Sequence, residues 1–264
     1  MKITNYHTHT VYCDGKNTCE EMVLSAIDKN MSEIGFSVHS PLPFDTDWAI
    51  KEEELPKYKQ ELLALREKYK NQIKIYIGIE QDYFSANSTD DFDYVIGSVH
   101  HIYKNGEYLA IDLSADEVKN NIKKHYDGDA LAYCEDYYKL VSDVYNRTKC
   151  QIIGHFDLVT KFNERMPLIE TNNKRYQKAA QNAIKELLKS PAIFEINTGA
   201  ISRGYRTTPY PADDLLDIIA DSGKPFVINS DSHSVDSIDF GIAKMARELD
   251  MCGYKYIKSL DEIL

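Results

Sequence analysis

Asn5-Tyr6-His7-Thr8-His9-Thr10 closes a short run of strand-forming residues from Lys2 to Tyr6, and it sets two imidazoles one residue apart at the strand's end. Alternate residues of an extended segment project to the same side, so His7 and His9 can grip one ion. The same event, a strand that ends in a chemically active side chain, recurs down the chain. Ile34, Phe36 and Val38 alternate in a second strand that ends at His39, and Ile73, Ile75, Ile77 and Ile79 in a third that ends at Glu80. Tyr94 to Val99 runs into His100, and Ile152 and Ile153 lead to His155. Ala192 to Ile196 runs into Asn197 and Gly199, and Phe226, Val227 and Ile228 lead to Asp231 and His233.

Helical patterns separate these strands. Thr18 and Glu21 form a capping box ahead of apolar Met22, Val23, Ala26 and Ile27. Leu55, Tyr58, Leu62, Leu65 and Tyr69 recur at helical spacing, one or two helices fit between Ala115 and Lys149, and another runs from about Lys174 to Lys189. Pro211 suits the first turn of a helix ending near Ser222, a last helix lies near Asp239 to Leu249, and Tyr254 to Ile257 reads as a short strand. Seven strand-to-helix units without a linker predict one α/β domain over residues 1–264. In a barrel of parallel strands the C-terminal ends share one rim, which carries the chemistry. A doubly wound sheet would gather active residues at its switch point instead of at nearly every strand end, so the barrel is the expectation.

Composition agrees with a packed enzyme-sized core: 264 residues, 43% hydrophobic and 28% charged. Disordered, collagen-like and disulfide-scaffold classes are excluded by that usage. The net charge of −11 repels phosphate backbones, so nucleic acid is not an expected partner. No stretch approaches the length of an apolar membrane span, and Met1 to Asn17 is too polar for a signal peptide, so no membrane partner is expected. The five cysteines are scattered without a C-x-x-C pair, which fits a reducing cytoplasm.

Eight histidines are present, at 7, 9, 39, 100, 101, 125, 155 and 233. Any one alone reads most simply as a satisfied core or surface residue. Six of them at strand ends, with Asp14, Glu80 and Asp231 on the same inferred rim, do not. Packing that much imidazole and carboxylate without a cation would leave desolvated groups unpaired, so a metal site is expected. The donors are N and O only, which suits Zn, Fe or Mn.

These motifs resemble the PHP (polymerase and histidinol phosphatase) superfamily, and within it the monofunctional histidinol-phosphate phosphatase branch. The resemblance is carried by Asn5 to Thr10 with Asp14, S-V-H-S around His39, G-I-E around Glu80, Asp93 to His101, Ile153 to Asp157, Glu195 to Thr198 and Ser230 to His233. It implies a distorted (β/α)7 TIM-like barrel and three divalent metal ions. By the same resemblance His7, His9, Glu80 and Asp231 hold the first ion, and Glu80 bridges to a second bound by His100 and His155. Asp14, His39 and His233 hold the third. The implied reaction is L-histidinol phosphate plus water to L-histidinol plus phosphate, a step of histidine biosynthesis, by metal-activated hydroxide attack on phosphorus.

Closely spaced cations are a general template for hydrolysing a small phosphate monoester. Glu80, Asp231 and His233 are the expected catalytic groups. Arg203 and Arg206, in S-R-G-Y-R after the sixth strand, are expected on the phosphate, since a guanidinium can hold two of its oxygens. Lys161 and Arg165 are a second basic source. His101 is expected to line the substrate site instead of binding metal, and His125, in a lysine-rich helix, to lie at the surface. Trp48 and Phe44 are candidates for an apolar wall over the substrate's imidazole, with Asp45 or Asp47 meeting its cationic groups. The other readings are a PHP phosphodiesterase or nuclease, a PHP protein tyrosine phosphatase, and a non-catalytic metal-binding scaffold; the last predicts lost ligands, and all nine positions are filled.

Overall fold

The computed structural model describes residues 3–264, so Lys2 of the expected first strand lies outside the described residues. Seven parallel strands follow one another around a sheet in chain order: β1 (Thr4–Asn5), β2 (Glu33–His39), β3 (Lys74–Asp82), β4 (Tyr94–Ser98), then β7 (Ile152–Ile153), β8 (Ile193–Asn197) and β9 (Phe226–Asn229). Between β4 and β7 the chain makes an antiparallel hairpin of β5 (His101–Lys104) and β6 (Glu107–Ala110). The helices are α1 (Cys19–Asp28), α2 (Leu55–Tyr69), α3 (Ala115–His125), α4 (Ala130–Thr148), α5 (Lys174–Leu187), the single turn α6 (Gly199–Ser202), α7 (Asp213–Ala220) and α8 (Ile242–Cys252). No helix among the described residues is long and apolar enough to cross a membrane.

Strand alternation sorts the side chains into two compartments. The isoleucines of β3 at 75, 77 and 79 join Ile34, Phe36, Val38 and the helix residues Met22, Tyr58 and Leu62 in one large core outside the sheet. Inside, Tyr6, Tyr76, Tyr94, Ile96, Ile193 and Val227 plug the other end of the barrel from the polar rim. Gly78 makes room for the plug, because a Cβ there would lie 2.3 Å from the Tyr94 ring. Above the plug the inward positions carry Glu80 and Asp82 of β3, Ser98 of β4 and Glu195 and Asn197 of β8. The apolar pattern that reveals these strands therefore faces the helices, and the inward face holds the chemistry.

The first and last strands close the ring through an unusual seam. Thr8 bridges Ser232 in parallel, with His9 N donating to Ser232 O at 2.8 Å and Ser232 N to His7 O at 3.0 Å. Below that point side-chain amides replace the backbone ladder. Tyr6 N donates to Asn229 Oδ1 at 2.8 Å, Ser230 N donates to Asn5 Oδ1 at 3.1 Å, and Asn5 Nδ2 donates to Ser230 Oγ at 2.8 Å and Ile238 O at 3.0 Å. The result is the distorted barrel that the strand count implies.

Local departures from expectation have local causes. The β5–β6 hairpin, absent from the sequence reading, starts at His101, so His100 and His101 straddle the change from barrel strand to hairpin. Helix α7 begins at Asp213, and Pro211 lies before its N-cap Ala212. Helix α8 starts at Ile242 because Gly241, at φ 73°, takes a left-handed conformation just before it. The expected strand at Tyr254 to Ile257 is reduced to one bridge between Tyr256 and Phe226, since further along β9 that edge faces β1. His125, expected at the surface, is buried, with its side chain 3% exposed. It continues the inner face of α3 after Val118, Asn121 and Ile122, a spacing that the neighbouring lysines conceal.

The seam yields a prediction. Asn5→Ala removes the two Nδ2 hydrogens shared among Thr8 Oγ1, Ser230 Oγ and Ile238 O and leaves the amides of Ser230 and His7 without Asn5 Oδ1. Urea unfolding should show a loss of about 2–4 kcal/mol, and a loss below about 0.5 kcal/mol would remove Asn5 from the closure.

Candidate functional site

The strand ends converge on Glu80, which is fully buried. Its Oε2 lies 3.1 Å from His7 Nε2, 3.5 Å from His9 Nε2 and 2.8 Å from His39 Nδ1. Its Oε1 lies 2.9 Å from His155 Nε2 and 3.3 Å from His100 Nε2. Asp231 Oδ1 stands 3.3 Å from His9 Nε2 and 3.6 Å from His7 Nε2. Asp14 completes the outer side, 3.1 Å from His233 Nε2 and 3.5 Å from His39 Nε2. All nine side chains expected as metal ligands thus meet at one mouth of the barrel.

The packing tests whether a cation suits the place. His7 Nε2, His9 Nε2, His39 Nδ1 and Glu80 Oε2 are buried yet lack any hydrogen-bond partner. They approach one another closely but are not aligned to donate and accept. Four sets of donors, His9/Asp14/His39/His233, His7/Glu80/His155, His7/His9/Asp231 and His39/Glu80/His100, each fall within a 4.8 Å sphere of atom separations. Orphaned polar atoms are costly in a dry interior, whereas lone pairs that converge on shared points are what a divalent cation uses. The residues fit the metal ions.

Electrostatics within the protein point the same way. Burial alone would depress His7, but Glu195, Glu80 and Asp231 outweigh it and hold His7 well above the ordinary imidazole value. His100 is raised against burial in the same manner by Glu80 and Asp82. His9 goes the other way: burial, with His39 and His233 beside it, pushes it down to about 3. Glu80 and Asp231 resist the upward push of burial and sit well below the usual carboxylate range, Glu80 through His7, His39 and His100, Asp231 through Arg203 and His7.

Support behind the cluster comes from groups to which sequence reading assigned no role. Glu195 Oε1 accepts from His7 Nδ1 at 2.7 Å, and Asp82 Oδ2 accepts from His100 Nδ1 at 3.0 Å. A carboxylate inside the apolar run Ala192 to Ile196 was the available signal for Glu195; Asp82, two residues past the expected end of its strand, gave none. Asp231 takes a left-handed φ of 48°, and Gly199 lets it approach, since a Cβ there would lie 2.8 Å from Asp231 Oδ2.

A cavity of about 480 Å³ opens over the cluster. Arg203 lines it, donating from Nη2 to Asp231 Oδ2 at 2.9 Å and from Nη1 to Asp231 O at 2.8 Å. Lys161 also lines it, anchored on Asp112 Oδ2 at 3.1 Å. Asp45, Asp47, Trp48 and His101 form another part of the wall, with His101 Nε2 3.2 Å from Asp45 Oδ2. Trp48 sets its ring edge-on to His39 at 4.5 Å between centroids. Phe44 instead stacks on Tyr108 of the hairpin at 3.6 Å, which ties the loop to β6. Arg206 does not line the cavity: it is buried, donating to Thr160 Oγ1 at 2.7 Å and Asp157 Oδ2 at 3.2 Å. Arg165 is exposed and donates to Gly204 O.

A model of the PHP domain matches residues 5–199. A Schizosaccharomyces pombe protein named "Probable histidinol-phosphatase" is 28% identical, over 94% of this chain and 86% of its own length. The histidinol-phosphatase of Bacillus subtilis is 27% identical, over 91% of this chain and 97% of its own. Among solved structures, the histidinol phosphate phosphatase of Lactococcus lactis subsp. lactis, complexed with zinc, L-histidinol and phosphate, superimposes with a TM-score of 0.69 at 23% identity, covering 97% of this chain and 95% of that one.

The raised imidazoles make metal-free protein pH-sensitive. A group raised in the folded state contributes its full stability below its unfolded value, about 6.5 for imidazole, and loses it as pH rises through the folded value. Metal-stripped protein should therefore melt at falling temperature as pH climbs above about 6.5, while metal-loaded protein should not. Calorimetry with and without chelator checks this, and a rising melting temperature in the stripped protein would contradict it.

Proposed function

The chain belongs to the PHP domain family, and from that premise we propose that it is a metal-dependent phosphate monoester hydrolase converting L-histidinol phosphate and water to L-histidinol and phosphate. The reading is carried by one observation: nine N and O donors meet at the floor of a cavity with cations and carboxylates on its wall. It makes the chain a cytoplasmic enzyme of histidine biosynthesis, built as a single barrel domain over residues 1–264.

His7, His9, Glu80 and Asp231 would hold one ion, Glu80, His100 and His155 a second, and Asp14, His39 and His233 a third, with zinc, iron or manganese as the candidates. When bound, the ions supply positive charge to the phosphoryl oxygens and bring the pKa of water toward neutrality. The chain's own groups do the rest. Arg203, 30% exposed at its side chain, holds Asp231 and presents its guanidinium to a phosphate oxygen. Lys161 adds a second positive charge, which an acidic protein needs against a dianionic ester. His233 is the most open imidazole of the set, at 21% exposure, and we assign it the contact with the leaving oxygen. Asp45 and Asp47, with Trp48 and His101, face the end of the substrate that carries the amine and imidazole.

Phosphate release from L-histidinol phosphate, thymidine 5′-monophosphate p-nitrophenyl ester and a phosphotyrosine peptide, with zinc-, manganese- and iron-loaded protein, tests the reading. Histidinol phosphate should be strongly preferred, with activity lost on chelation. Preference for the diester or the peptide would overturn the substrate assignment. Glu80→Gln, which removes a buried charge shared by five imidazoles, should lower kcat/KM by on the order of 10³-fold or more. Retained activity in that variant would overturn the metal reading.

A further inference from the structure

We propose that Glu195 is a positioning residue: it fixes His7 as the tautomer that carries its proton on Nδ1 and keeps the Nε2 lone pair aimed at the metal centre. The inference rests on the reading of His7 as a ligand. Glu195 is completely buried and uses both carboxylate oxygens. Oε1 accepts from His7 Nδ1 at 2.7 Å and from Asn229 Nδ2 at 2.9 Å. Oε2 accepts from His155 N at 2.9 Å and from Asn197 Nδ2 at 2.9 Å. An ionised carboxylate accepts only, so Nδ1 of His7 must carry a proton in either charge state, and when a metal ion takes the place of the second proton it is Nε2 whose lone pair faces it.

The opposite nitrogen is the one the structure leaves without a partner, 3.1 Å from Glu80 Oε2 and 3.6 Å from Asp231 Oδ1. A purely structural carboxylate would be served by its asparagine and backbone donors alone. Here the shortest of the four bonds goes to the imidazole. Through His155 N the same carboxylate also holds the backbone of a second metal-site residue, so one group on β8 registers β1 against β7. Asp82 contacts His100 in the same fashion from β3. Such partners behind a ligand typically carry a 10–100-fold effect on metal affinity.

The test compares zinc affinity, by chelator competition, in wild-type protein, Glu195→Gln and Asn197→Ser. The glutamine keeps the shape and loses the charge; the serine removes the Asn197 Nδ2 bond to the same carboxylate, together with the bond that Asn197 Oδ1 accepts from Gly199 N, without touching His7. Glu195→Gln should weaken zinc binding by about 10–100-fold. Asn197→Ser should lower the melting temperature while leaving zinc affinity within about threefold, as expected of a bond that does not reach the ligand. Equal losses in the two variants, or no loss in Glu195→Gln, would overturn the proposal. A second measurement needs no variant: ¹⁵N spectra of the histidines in zinc-loaded wild-type protein should show His7 protonated at Nδ1, and protonation at Nε2 would overturn it. Wild-type protein that takes up no zinc would overturn the metal reading as well, which separates the two failures.

Discussion

A fully buried carboxylate surrounded by imidazoles is an arrangement that a protein interior does not tolerate without compensation. Glu80 sits among His7, His9, His39, His100 and His155 with no lysine or arginine of the described residues paired with it, and one of its oxygens has no hydrogen bond. In the metal-free chain the compensation is protonation, which is why His7 and His100 are raised. Divalent ions would provide the same charge permanently. The geometry of the barrel mouth follows from that need, since each strand delivers its donor to within a few ångströms of one point.

The barrel meets this demand by dividing labour along its axis. At the closed end tyrosines and isoleucines fill the interior, and Gly78 yields space to Tyr94. At the open end the inward positions are carboxylates, amides and imidazoles. Such an interior cannot be held by apolar packing, so it is held by hydrogen bonds to the backbone of neighbouring strands. Asn5 and Asn229 do this at the seam, and Glu195 of β8 does it at His155 N after β7 while its other oxygen holds the His7 ring after β1. Polar groups that would otherwise be a stability cost become the cross-braces of the closure.

Above the centre the wall is uneven in charge. Arg203 is held by Asp231, a residue of the cluster itself, so cation and cluster are mechanically one unit. Asp45, in the stretch that Phe44 clamps to the hairpin, pairs with His101 of the hairpin itself. The hairpin therefore shapes the cavity although it contributes nothing to the barrel. Arg206, expected beside Arg203 as a phosphate contact, is instead engaged by Asp157 and Thr160 below the rim.

Much of this was legible in the linear chain because strand ends and chemistry coincide. Periodicity placed all seven barrel strands, and the fold's parallel order then required that His7, His39, Glu80, His100, His155 and Asp231 share a rim. The β5–β6 hairpin also has a mark in the chain, since Asn105-Gly106 is the pair that a two-residue turn with both residues at positive φ (52° and 86°) selects, although it is not among the expected strands. His125 departs from its expected surface position because Lys123 and Lys124, just before it at the end of the helix, hide its inward spacing. Which of two arginines faces the cavity, which carboxylates stand behind the ligands, and how the first strand meets the last were decided only by tertiary structure. Sequence determines which side chains exist and their local period; the direction of an individual side chain, and the partner that satisfies it once water is gone, depend on neighbours dozens to hundreds of residues away.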